Sequence, residues 1–148
     1  MTTDLILAIV HHVLVFSLFG QLMAEAVLLR PAIQGADVAR LARLDAGYGA
    51  TAGLVLLVGA SRVVWGAKGW AYYQDNHWFW AKMGCFALVA FVSILPTLRF
   101  VRWRRALRTD PAFAPDLNEV EAARRMVRLQ GLLFILILAF AAAMARFT

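Results

Sequence analysis

Four long apolar runs constrain this chain more than any other feature. A helix that crosses a hydrocarbon core of about 30 Å needs roughly 20 predominantly apolar residues. Four segments meet that need: about Leu5 to Leu29, Asp45 to Val64, Phe79 to Arg99, and Met126 to Ala145. The chain has 148 residues, 62% hydrophobic and only 16% charged. Soluble domains carry about 25% charged residues. So few charges cannot cover a water-exposed surface, and the bilayer is the natural solvent for the rest. The prediction is an all-α fold, a four-helix transmembrane bundle, with residues 1–148 forming a single integral membrane domain.

The formal net charge is +6. In a soluble protein that balance would suggest nucleic acid. Here the basic residues flank the apolar runs, and no soluble segment is long enough for a binding module. The predicted partner is the lipid bilayer, and no nucleic acid is expected. The single cysteine, Cys85, excludes an internal disulfide and any C-x-x-C motif. Ala24-Glu25-Ala26 has the small-x-small form of a signal cleavage site. However, no Lys or Arg precedes the first run, and the run is longer than a signal-peptide core. It reads as a retained helix.

Lys and Arg counts give an orientation. Arg30, Arg40 and Arg43 flank the first connection, and eight arginines between Arg99 and Arg128 flank the third. The opposite side holds Arg62, Lys68, Lys82 and Arg146. The positive-inside rule puts the arginine-rich side in the cytoplasm. The expected location is a bacterial inner (plasma) membrane, with both termini periplasmic. Between the first two spans, Asp37 to Leu44 reads as a short interfacial helix, with Leu41 and Leu44 towards lipid and Arg40 and Arg43 at headgroups. Asn118 followed by Glu121 reads as a capping box at the start of the last helix. Gly49 and Gly53 form a GxxxG pair that suits either close packing inside the bundle or a homodimer seam.

Ionisable groups inside a span are costly and therefore point to function or to a satisfied network. The first helix carries His11, His12, Gln21 and Glu25. At about 100° per residue, Glu25 falls roughly 40° from His11 and about 140° from His12. His11, Gln21 and Glu25 therefore share a stripe, and His12 points elsewhere. Depth divides the polar groups into two layers. His11, His12, Arg62 and Lys82 belong to an outer cluster. Gln21, Glu25, Tyr48 and Gln130 form an inner polar network, with Arg99 or Arg128 as counter-ion for Glu25.

The histidines have three readings: hydrogen-bonded packing groups, axial ligands of haem b, or a metal or proton-relay site. In the haem reading, His11 or His12 ligates iron while Arg62 and Lys82 pair with propionates. No metal is expected beyond haem iron, because adjacent helical histidines point about 100° apart. The aromatic connection Trp65–Lys82 reads as an interface anchor or as a lid over the outer cluster, contributing Lys68, Tyr72, Asn76 and Lys82; Tyr73 and His77 belong to the same outer loop. No nucleophile–base pair or nucleotide-binding loop is present, and catalytic residues stay unassigned.

Four groups of residues carry a family resemblance. They are His11-His12 with Glu25, the stretch Leu44-Asp45-Ala46-Gly47-Tyr48-Gly49, the run Arg62 to Lys82 with Lys68-Gly69 and Tyr73, and Ser93-Ile94-Leu95-Pro96-Thr97. Over nearly the whole chain they resemble a bacterial family of predicted four-helix membrane proteins known as domain of unknown function 2214. More distantly, the arrangement is similar to copper-resistance D proteins and HemJ-type protoporphyrinogen oxidases. Trp80-Ala81-Lys82 has the form of the HemJ-type Trp-x-Lys, whereas Glu25 stands where that group favours arginine. The resemblance implies a four-helix membrane fold. It leaves three functions open: a haem-b-binding redox-accessory protein, a HemJ-like porphyrinogen oxidase, and a structural or transport protein without cofactor.

Overall fold

A computed structural model describes residues 2–66 and 69–146. Its elements are α1 (Thr2–Leu28), α2 (Ala36–Trp65), α3 (Gly69–Gln74), α4 (His77–Thr109) and α5 (Leu117–Arg146). No strand occurs among the described residues. The four long helices are apolar and long enough to cross a membrane. At 1.5 Å per residue they measure about 40 to 50 Å, so each extends beyond the hydrocarbon core.

The helices form a ring in which α1 packs on α2, α2 on α4, α4 on α5, and α5 back on α1. A specific contact fixes the register of each pair. Gln21 Nε2 of α1 donates to Thr51 Oγ1 of α2 at 3.1 Å. Thr97 Oγ1 of α4 donates to Asp45 Oδ1 of α2 at 2.9 Å. Trp103 Nε1 of α4 donates to Glu119 Oε2 of α5 at 2.8 Å, and Arg102 pairs with the other carboxylate oxygen. The Phe19 and Phe134 rings join α1 to α5 at 5.2 Å. Large apolar side chains such as Phe16, Leu57, Phe91 and Leu132 stay exposed on the outside, where lipid would cover them.

Several helices run further than the apolar pattern indicates. Residues 37–44 are the first turns of α2 and not a separate interfacial helix. Leu41 is fully buried in the core rather than turned to lipid, because Val38, Leu41, Ala42, Asp45 and Tyr48 make one continuous buried stripe. Arg40 and Arg43 are exposed, and Arg40 pairs with Asp37. α4 continues past Pro96 to Thr109, which makes Arg102 to Arg108 helical. Asp116 caps α5 by accepting from the Asn118 amide at 2.8 Å, replacing the expected Asn118 box. Glu121 pairs instead with Arg124.

Two ends follow from this ring. One carries α3, the start of α1 and the end of α5. The other carries the connections 29–35 and 110–116 and most of the arginines. In the first connection Gly35 adopts φ 54°, ψ −127°, a conformation that glycine accommodates at little cost. It lets the chain reverse directly while Leu29 and Ile33 tuck into the core.

Candidate functional site

The first site lies at the terminal end. Gly59 lacks a side chain where α2 passes α1, and a Cβ there would sit 3.4 Å from His11 Cε1. The imidazole therefore rests on α2 backbone. One turn further along, Arg62 projects from α2, while Lys82 projects from α4 and Tyr73 closes from α3. Together with Val15, Val55, Phe79, Phe86 and Met144 they line a cavity of about 390 Å³. Its walls are apolar apart from these few groups, and no acidic side chain lines it among the described residues. His11 Nδ1 and Arg62 Nε are buried and have no hydrogen-bond partner among the described residues. Lys82 Nζ sits 5.4 Å from the centre of the Phe79 ring.

The structure separates the two histidines. His11 is half-buried on the cavity, whereas His12 is exposed, and its Nδ1 lies 2.6 Å from the Ala8 carbonyl oxygen. The outer cluster thus contains His11, Arg62 and Lys82 without His12. His77 is exposed at the first position of α4 and does not line the cavity.

The aromatic connection packs down over this end. Tyr73 is buried against Tyr72 and Phe79, and the Tyr72 hydroxyl donates to the Met144 carbonyl at 3.2 Å. Asn76 is occupied as the N-cap of α4, accepting from the Trp78 and Phe79 amides at 3.0 and 3.2 Å. It is therefore a structural cap and not a lid side chain. Lys68 lies outside the described residues.

The second site is a polar layer nearer the arginine-rich end. Glu25 and Gln130 are each 2% exposed, Tyr48 is 5% and Asp45 is 6%. Gln21 and Thr51 join through their hydrogen bond, and Thr97 through its bond to Asp45. Neither Arg99 nor Arg128 forms an ion pair with Glu25. The ion pairs among the described residues involve Asp37, Glu119 and Glu121. The inner network read from the sequence lacks Asp45, Thr51 and Thr97, although Asp45 and Thr97 stand in the stretches that carry the family resemblance. The signal for Asp45 was present: it lies three residues before Tyr48 on the face that ends at Val55. A shallow groove between α1 and α2, rimmed by Arg40 and Arg43, has Gln21 and Gly47 in its lining.

Gly49 and Gly53 do not mediate packing inside the bundle. Both are exposed on α2, and a Cβ at either would meet nothing within 4 Å.

The family model of a predicted membrane protein, domain of unknown function 2214, matches residues 3–147. The chain belongs to this family. The match spans all four long helices and both polar sites. No curated protein and no solved structure matches the chain.

The seat of His11 on Gly59 gives a direct test. Gly59→Ala is expected to be tolerated, since its Cβ makes ordinary contact. Gly59→Leu is expected to displace the imidazole and destabilise the bundle by about 1–3 kcal/mol, read by thermal unfolding in detergent. Equal stability of both variants would show that His11 does not rest there.

Proposed function

We propose that the protein binds an amphipathic anion with a flat apolar body in the cavity at its terminal end, and that haem b is that ligand. The observation that carries this reading is the convergence of His11, Arg62 and Lys82 on one apolar cavity that no acidic side chain lines among the described residues. A cation beside hydrocarbon walls needs a counter-charge, and a carboxylate attached to an apolar group supplies both.

The residues present fit haem on three counts. The volume of about 390 Å³ falls in the range of small-molecule sites, roughly 300–1,000 Å³. His11 brings a half-buried imidazole to the cavity wall. Arg62 and Lys82 stand at the same end to hold propionates. His11 would be the protein's histidine ligand, since His12 faces outward. Bound haem would supply one-electron redox chemistry. The chain's own part is to hold the group, orient it through His11, and exclude water with Phe79, Phe86 and the α3 aromatics.

Such a protein would act as a redox accessory in the membrane. A porphyrinogen oxidase would use the same three side chains, and turnover of protoporphyrinogen would separate the two. A structural or transport role without cofactor would leave His11 as a packing group.

For placement we infer a bacterial inner membrane with the arginine-rich end in the cytoplasm and both termini in the periplasm. The excess of arginine at that end supports it. We also infer that two copies pack through Gly49 and Gly53, because this small-residue face is left uncovered by the chain's own helices.

Protein purified in detergent after expression with haem precursor is expected to show a Soret band, with sharpened bands on dithionite reduction. His11→Ala should lose them and His12→Ala should keep them. A featureless spectrum, or full retention in His11→Ala, would reject the assignment. Reporter fusions within 110–116 should report the cytoplasm; a periplasmic signal would reverse the orientation. Gly53→Ile should abolish cross-linked dimers in membranes, and unchanged cross-linking would place the seam elsewhere.

A further inference from the structure

The polar layer near the arginine-rich end has no part in the cavity reading, yet it holds three buried acceptor atoms with no hydrogen-bond partner among the described residues. We propose that Glu25, Asp45, Gln21 and Gln130 form an intramembrane site for a hard, oxygen-liganded cation.

The geometry brings these groups to one level. Gln21 and Glu25 are one turn apart on α1, and the bond from Gln21 to Thr51 sets α2 alongside. Asp45 then lies on the buried face of α2 at the depth of Glu25, tied across to α4 by Thr97. On α5, a Cβ at Gly131 would sit 3.7 Å from the Met23 methyl carbon, which sets the turn of α5 that carries the buried Gln130 against the turn of α1 before Glu25.

Three atoms in this layer are buried with no partner among the described residues: Gln21 Oε1, Glu25 Oε1 and Gln130 Oε1. All three are acceptors. Glu25 and Gln130 are 98% buried, so bulk water does not satisfy them. Neither Glu25 nor Asp45 is ion-paired among the described residues. The layer therefore gathers three unpartnered acceptor oxygens and two carboxyl groups with no basic side chain paired to them among the described residues. Such an arrangement is costly inside a membrane bundle.

One added proton would satisfy a single acceptor. A hard cation draws on several oxygens at once, roughly six to eight for calcium. The available donors are carboxylate, amide and hydroxyl oxygens, with Tyr48 and Thr51 at the edge. They include no thiolate or imidazole, which suits alkali or alkaline-earth ions over zinc or copper. The groove lined by Gln21 approaches the layer from the arginine-rich end, and Arg40 on its rim is already engaged by Asp37.

The test uses the intact protein in detergent, stripped with EDTA and exchanged into choline chloride. Thermal unfolding is then followed while sodium, potassium, magnesium or calcium chloride replaces choline at constant ionic strength. A saturable rise of about 5 °C or more with one of these ions is expected. Which ion acts identifies the charge the site takes. Glu25→Gln and Gln130→Leu should lose the rise. If either fails to fold, the wild-type titration together with direct metal analysis of the dialysed protein decides the question. Identical unfolding in all salts would overturn the proposal and leave a layer closed by its own amide–carboxyl hydrogen bonds. A response to pH with none to any metal ion would overturn it in favour of a bound proton. A full rise retained in folded Glu25→Gln would place the ion elsewhere.

Discussion

In lipid, helices gain little from the hydrophobic effect by associating, because the hydrocarbon chains are as apolar as the side chains they would replace. Polar contacts and close packing must set the register, and this bundle depends on a few of each. Gln21–Thr51 fixes α1 on α2, Thr97–Asp45 fixes α4 on α2, and Trp103–Glu119 fixes α5 on α4. Each joins two different helices, and each includes a buried group: Thr51, Asp45 and Trp103. Trp103 is 1% exposed, so its indole N–H relies on Glu119.

These registers place the two polar regions. With α1 locked to α2, His11 falls on Gly59 and Arg62 follows one turn on. The same lock sets Glu25 beside Asp45. The regions stay distinct because Leu18, Leu22, Val55 and Phe134 fill the space between them with apolar volume. The cavity at one end gathers cationic side chains with no acid in its lining, while the layer at the other gathers carboxyl and amide groups with no base paired to them among the described residues. Their opposite compositions are the reason to assign different ligands to them.

Much of this was legible along the chain. Four apolar runs of sufficient length announce four membrane helices, since length and hydropathy alone satisfy the bilayer. Helical phase alone put His11, Gln21 and Glu25 on one stripe with His12 off it, and the structure has the same division. Asp45 was harder to see. An ionisable residue near the edge of an apolar run reads as the end of a span, yet α2 starts nine residues earlier at Ala36 and carries Asp45 inside. The capping of α5 by Asp116 and the burial of Leu41 were hidden for a related reason. Helices that outlast the hydrocarbon core continue through polar sequence, where hydropathy gives no signal.

The sequence by itself determined the class of fold, the number of spans, the family and the face on which most polar groups lie. Each of these depends on periodicity and on the cost of exposing backbone to lipid, both local properties. The tertiary structure decided which groups meet. It selected His11 over His12 for the cavity, turned Gly49 and Gly53 outward, made Asn76 a helix cap, and joined Asp45 to Thr97, 52 residues further along the chain. Such pairings depend on the relative rotation and depth of whole helices. Those are set by contacts between residues far apart in the chain, which no local pattern records.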